Sequence, residues 1–432
     1  MLSYLPFVPI LFGAADNSPA PKMYDPFGWQ VSWQQSRDRG SVYLVTPAGI
    51  DIAADERVHE PSPGCMVLRF DGQRTQSNAL LPPTWVRERA RGDARLVRSN
   101  LTKSGVLLVI EELDGRRQTG RVSMIDPDSF DQVGSISMSS TIDGRVTDLA
   151  GYSSGSDKDD FSGLLICGYS RPDRVGTIWR YDAVHNELKV VSNAATTGCG
   201  ISSVVILDAC RGAECPEFAA SSISFDCPNN HESEIFAAKP LAKQPAWRVH
   251  GRPTGLLDQL GTSLCGLWGK NAASSDGICA IAGEGPGLSG PRYALFLSRR
   301  DGHEVARYGD ASREFDGAWV GSSMGDVDGD GHGDVAILIN PNNKAEGHLR
   351  VVVVSGRDAK PLLTIERDVL GTGFSKSIAG GIDLDGDGYP DCVVGITDYE
   401  AGAGNLCVVS GKTGKLIRRF VQVADAPILT LK

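Results

Sequence analysis

Two short stretches of this 432-residue chain concentrate carboxylates at regular spacing. The first, DVDGDGHGD, places Asp326, Asp328, Asp330 and Asp334 at loop positions 1, 3, 5 and 9. The second, DLDGDGYPD, repeats the pattern with Asp383, Asp385, Asp387 and Asp391. Four carboxylates this close repel one another unless a cation sits among them. Oxygen-only ligands at such density select calcium over zinc or copper. In this reading the first three aspartates curl around one ion, position 7 offers its backbone carbonyl (His332 and Tyr389), and position 9 closes the shell. Gly331 and Gly388, at position 6, permit the sharp bend. A helix–loop–helix calcium site is excluded, because it needs a bidentate Glu at position 12, where Ile337 and Val394 stand. The expectation is two calcium ions, one per loop.

The elements that position these loops follow from a repeat. The loops lie 383 − 326 = 57 residues apart. A pattern of strand, turn and strand begins at Gly40, Gly120, Gly176, Ser233, Pro291, Gly347 and Gly404, at intervals of 80, 56, 57, 58, 56 and 57 residues. An apolar strand precedes the later copies, as GVLLVIEE from Gly105, GLLICGY from Gly163, DVAILI from Asp334 and DCVVGI from Asp391. Each period therefore supplies four short strands, and the long first interval reads as an insertion around Leu80 to Arg95. A sandwich has no reason to keep a fixed period, whereas a propeller blade buries its faces only against its neighbours. The expected fold is all-β: a seven-bladed β-propeller of four-stranded blades, with calcium-binding loops in the last two. It occupies residues 25–432 as one domain. The 51 glycines, against about 7% in ordinary proteins, agree with many tight turns and few long helices.

The glycine–aspartate loop followed by a short apolar strand resembles the FG-GAP repeats of integrin α-subunit β-propellers. The best copies are FDGAWVGSSMGDVDGDGHGDVAILIN and LGTGFSKSIAGGIDLDGDGYPDCVVGIT. The name-giving Phe-Gly stands here as Trp319-Val320 and Phe374-Ser375. The resemblance implies a seven-bladed propeller with calcium in loops on one face, in extracellular or cell-surface proteins that bind ligands.

Charge and cysteine usage narrow the setting. Lys+Arg 43 against Asp+Glu 53 leaves a net charge of −10, which argues against a nucleic-acid partner. No apolar run is long enough for a transmembrane helix. Residues 1–24 begin with an apolar segment that reads as a degenerate export signal, although no Lys or Arg precedes it; a hydrophobic strand is the alternative. The ten cysteines contain no C-x-x-C pair. Cys210 and Cys215 lie where neighbouring blades place their carboxylates, and are disulfide candidates that would replace calcium in the fourth blade. Cys199 and Cys227 are rival partners. The third blade's expanded loop holds Asp157, Asp159 and Asp160. An extracellular, periplasmic or cell-surface location is expected, with the cytoplasm as alternative.

Catalytic motifs fail on context. Gly151–Gly155 matches G-x-S-x-G but is followed by a charged turn. Gly285–Gly290 matches G-x-G-x-x-G but leads into a strand instead of a phosphate-binding helix. Arg91-Gly92-Asp93 is too short to carry meaning. The expected function is a non-catalytic, calcium-stabilised module that binds a protein or carbohydrate ligand or serves as a scaffold. The alternatives are a propeller enzyme acting on polysaccharide or another extracellular polymer, and a mainly structural surface protein.

Overall fold

The computed structural model describes 29 strands and adjoining turns between residues 32 and 431, with side-chain surroundings from Ile136 onward. The apolar segment 1–24 lies outside the described residues. The architecture is all-β, with seven antiparallel sheets in which each strand pairs with the next in sequence. Six sheets have four strands and the seventh has five. They cover residues 32–89, 95–137, 144–192, 201–250, 263–308, 318–365 and 374–431, and are numbered one to seven here. The first strand of each sheet lies against the first strand of the next, and the first strand of sheet seven, Phe374–Ile382, also adjoins that of sheet one, Ser32–Gln35. Among the described residues the one helix is the single turn Arg367–Leu370.

The first repeat is phased differently from the sequence expectation. Ser41–Pro47 is the second strand of its sheet, paired with Ser32–Gln35 on one edge and Gly64–Asp71 on the other. The partner that follows it is therefore Gly64–Asp71. The third strands begin at residues 64, 119, 176, 234, 292, 350 and 403, giving intervals of 55, 57, 58, 58, 58 and 53. No insertion is needed: Thr84–Arg89, inside the stretch read as inserted, is the fourth strand of sheet one.

Packing explains why the second strands read as continuous apolar runs. Asp334–Asn340 is buried along its whole length. Its Val335, Ile337 and Ile339 pack with Cys279, Ile281 and Phe296 of sheet five. Ala336 and Leu338, on the opposite face, pack with Cys392, Val394 and Cys407 of sheet seven. Sheet five behaves alike, sending Ile278 and Ala280 toward Ile235 and Ala237 of sheet four. A strand covered on both faces has no solvent side to mark with polar residues. Removing a side chain as large as Phe296 from water contributes on the order of 2–3 kcal/mol, against about 1 kcal/mol or less for an exposed ion pair. The seams between sheets therefore dominate the stability.

Polar latches join the first strands of neighbouring sheets. The Gly321 amide donates to Ser263 Oγ at 3.4 Å and the Gly380 amide to Ser322 Oγ at 3.0 Å, each pair 58 residues apart. Between sheets three and four, buried Asp148 accepts from the Val204 amide at 3.1 Å and Ser203 Oγ at 2.9 Å. Small residues on these strands allow the close approach: a Cβ on Gly380 would collide with the Met324 sulfur.

Candidate metal centres

In sheets four to seven the connection from first to second strand has one length. Counted between the last in-register partners it runs Ile206–Phe218, Gly266–Ile278, Ser323–Val335 and Gly380–Cys392, twelve steps each time; in sheets six and seven a bulge then adds the pairs Gly325–Asp334 and Ile382–Asp391. Two of the four loops carry the acidic sets. Gly331 and Gly388 have φ of 91° and 90°, and a Cβ at either would meet nothing within 4 Å. Glycine is required there by the dihedral and not by space.

Each loop brings three carboxylates together. One oxygen each from Asp326, Asp328 and Asp334 lie within 4.8 Å of one another, and the same holds for Asp383, Asp385 and Asp391. Oxygens bound to one calcium at 2.3–2.6 Å are separated by at most about 5 Å, so both groups fit such an ion. Asp330 and Asp387, at position 5, stand outside these groups; their Oδ1 atoms accept the amides of His332 at 2.8 Å and Tyr389 at 2.9 Å. The Asp326 carboxylate accepts the amides of Gly329 and Gly331, and Asp383 accepts those of Gly386 and Gly388. The loops are thus shaped by their own amides, which hold the carboxylates on the inside of the curl.

The closing carboxylates are tied to a second turn that sequence reasoning missed. Asp334 Oδ2 accepts the Val327 amide at 2.7 Å, and its Oδ1 accepts the Gly356 amide at 3.0 Å. Asp391 repeats this with Leu384 at 2.6 Å and Gly411 at 3.0 Å. Gly356 and Gly411 follow the third strands of their sheets and pass directly beneath the acidic loops. A Cβ on either would run into the carbonyl oxygen of Gly333 or Pro390. The available signal was the phrase VVSG, present in both repeats as VVVVSGRD and LCVVSGKT.

Burial raises the closing carboxylates. Asp334 is pushed up to about 6, by burial foremost and by the nearby Asp328 charge, with the amides of Gly356 and Val327 opposing. Asp391 is pushed up to about 7 by burial, with Asp385 adding to the rise. Asp385 is itself raised, through burial and the charges of Asp387 and Asp383. A carboxyl raised above its unfolded value stabilises the fold fully below about pH 4, and that contribution is lost as pH rises through 6 to 7. A bound cation reverses the balance, since it needs the ionised form. The metal-free protein is therefore expected to lose thermal stability between pH 5 and pH 8, and a saturating divalent cation to flatten that decline. Melting curves with chelator and with cation across this range check it. A cation-induced shift as large at pH 5 as at pH 8 would contradict the assignment of these two groups.

The two centres have different neighbours. His332 Nδ1 lies 3.4 Å from an oxygen of Asp276, which belongs to the corresponding loop of sheet five. In the other loop Lys412 Nζ sits 4.4 Å from the centre of the Tyr389 ring and 3.9 Å from Asp387 Oδ2. An ammonium ion thus already faces the second centre.

Sheet four balances its loop with an arginine. Glu217 immediately precedes the paired residue Phe218, as Asp334 precedes Val335. Arg299, from the turn after the third strand of sheet five, donates from Nη2 to Glu217 Oε2 at 2.6 Å and to Asp208 Oδ2 at 3.1 Å, and from Nε to Glu217 at 3.1 Å. Its backbone is pinned as well: its amide donates to the Asp276 carbonyl at 3.3 Å, and its carbonyl accepts Trp247 Nε1 at 2.7 Å. Cys210 and Cys215, and Cys199 and Cys227, lie outside the described residues, as do Asp157, Asp159 and Asp160. The described cysteines with side-chain surroundings, 167, 265, 279, 392 and 407, are buried, and in this structure no disulfide joins them. No helix among the described residues is long and apolar enough to cross a membrane.

No family model matches the chain. Integrin alpha-PS2 of Drosophila melanogaster is 36% identical over 107 residues, which cover 22% of this chain and 7% of that protein. The chain thus matches only a small part of that relative's length. Among solved structures, Saccharomyces cerevisiae Sqt1 superposes with a TM-score of 0.51 at 11% identity, covering 94% of this chain and 87% of that one. The uncharacterized protein lmo1340 of Listeria monocytogenes EGD-e gives a TM-score of 0.47 at 11% identity, over 91% of this chain and 94% of that one. What this chain shares with integrin alpha-PS2 is a local similarity, and what it shares with Sqt1 is an all-β fold of several sheets; on that fold this chain carries two acidic clusters that could hold a metal ion.

Proposed function

We propose that the seven sheets are the blades of a calcium-stabilised β-propeller, with residues 25–432 as one domain. The chain acts as a non-catalytic ligand-binding or scaffolding module outside the cell or at its surface, with a protein or carbohydrate as its ligand. The observation that carries this reading is the pair of acidic loops one repeat apart, each with three carboxylate oxygens within 4.8 Å. Their geometry is shared down to the amide that meets the closing aspartate. The local similarity to integrin alpha-PS2 supports it. Calcium here organises structure: it cancels repulsion among Asp326, Asp328 and Asp334, or among Asp383, Asp385 and Asp391, and fixes how the second strand enters its sheet.

Calorimetry on the metal-stripped full chain is expected to show two calcium sites, with dissociation constants on the order of 10⁻⁴–10⁻³ M because neither loop has a bidentate Glu. At ten times the dissociation constant each site adds about 1.4 kcal/mol. Asp385→Ala is expected to remove one site and part of the thermal shift. Absence of any heat at several millimolar calcium would defeat the reading. The ligand class is then tested by screening the calcium-loaded protein against glycan and extracellular-matrix arrays.

A further inference from the structure

We propose that Cys265 and Cys279 form a disulfide that staples the first two strands of sheet five, beside the first acidic loop. The two residues stand directly opposite each other in the antiparallel pairing of Ser263–Gly266 with Gly277–Gly283. The backbone bond from the Leu267 amide to the Gly277 carbonyl makes Cys265 and Cys279, two residues on, a hydrogen-bonded pair, whose Cα atoms lie about 5.5 Å apart, inside the roughly 4.4–6.8 Å that a disulfide spans. Both side chains face the same seam, packed with Val335, Ile337 and Trp319 of sheet six. Both are buried thiols in this structure, and the Cys265 side chain lies near enough to raise the Cys279 thiol.

The other described cysteines lack this placement. Cys392 is opposite Val409, and Cys407 is opposite Val394. They are diagonal neighbours, at about 7–8 Å, beyond the reach of an unstrained disulfide. The Cys407 sulfur instead donates to the Leu370 carbonyl at 3.5 Å. Cys167 is opposite Ile178 on one side and Asp148 on the other.

The bond forms by thiol–disulfide exchange with a small oxidised disulfide such as glutathione disulfide. One cysteine thiolate attacks it, releasing one small thiol and leaving a mixed disulfide. The second cysteine sulfur then displaces the other small thiol. One Sγ–Sγ bond is made, the small disulfide is reduced to two thiols, and the two cysteine protons end on them. In the finished fold the Cys265 side chain and burial hold the Cys279 thiol well above its ordinary range, so thiolate is scarce. The exchange belongs to folding, when the two strands have paired and sheet six has not yet covered them.

The staple closes a loop that includes Asp276, the partner of His332 in the first acidic loop. The Cys265 sulfur also lies against Gly321, where a Cβ would be 3.4 Å away. The seam between sheets five and six is therefore pinned from the sheet-five side, independently of any cation.

Refolding the full chain in a glutathione redox buffer, alkylating it in denaturant without reduction, and mapping the peptides tests this. The expected product is a Cys265–Cys279 linked peptide lacking two hydrogens, with Cys167, Cys392 and Cys407 alkylated. Alkylation of both Cys265 and Cys279, or linkage of either to another cysteine, would overturn the proposal. Reductant should also lower the melting temperature of the wild-type protein by more than that of a Cys265→Ala, Cys279→Ala double variant, by a few degrees. Equal shifts would overturn the stapling role.

Discussion

Replacing Gly356 by alanine is expected to abolish cation binding at the first acidic loop and to destabilise the protein by about 1–3 kcal/mol, the range for forcing an extra carbon into a packed site. The residue is not a ligand and carries no side chain, so the effect has to come from space. Its amide donates to Asp334 Oδ1, and its Cα passes so close to the acidic loop that a Cβ would overlap the Gly333 carbonyl oxygen. The obstacle is backbone, which cannot rotate away as a flexible side chain would. Relief requires the turn to withdraw from the loop, and withdrawal breaks the hydrogen bond that aims the closing carboxylate. Gly411 is placed in the same way under Pro390, so Gly411→Ala should silence the second loop and leave the first intact. Calorimetry of the two single variants is the measurement. Two unaltered sites in both would show that the loops hold their shape without this turn.

Arg299→Met is expected to cost about 1–3 kcal/mol and to do so with or without calcium. Removing one partner of a fully buried ion pair costs roughly 3–5 kcal/mol, since the other charge is left uncompensated. Here the figure is discounted for solvent, because the side chains of Arg299, Glu217 and Asp208 are 22%, 16% and 42% exposed. Methionine retains most of the apolar stem, so the loss reports chiefly on charge. Glu217→Gln introduced together with Arg299→Met should recover part of it, because no ionised Glu217 then remains unpaired. The check is a denaturant-unfolding cycle of the two single variants and the double. Strict additivity would mean that the guanidinium and the carboxylate do not support each other. Chelator should shift the Arg299→Met melting temperature as much as the wild-type one, since the carboxylates that the Arg299 side chain meets, Glu217 and Asp208, belong to neither acidic loop.

Much of the architecture was legible because it is written locally. The alternation and glycine punctuation of a strand–turn–strand unit, such as Gly176–Asp182 followed by Glu187–Ser192, lie within a few residues of each other. The turns that join such strands are short and their pairing leaves few choices. The acidic loops were legible for the same reason, since the backbone that brings Asp326, Asp328 and Asp334 together is one curl of chain with glycines at its bends. The first sheet was misphased because Ser41–Pro47 pairs across a gap to Gly64–Asp71, and nothing near Pro47 distinguishes that partner from the apolar residues in between. Position 5 was harder still: whether Asp330 turns toward its three neighbours or toward the amide of His332 depends on backbone direction, which composition does not encode.

The sequence by itself determined the repeat, the strand content and the two clusters of carboxylates, since each rests on residue types at fixed short separations. Only the tertiary structure decided which glycine closes each acidic loop, that Arg299 meets Glu217 from 82 residues away, and that Cys265 stands opposite Cys279. The physical reason is that these contacts are made between different turns, sheets and strands. The order of residues along a chain states how far apart they are in sequence, whereas the pairing register and the packing of one sheet on the next decide which of them touch.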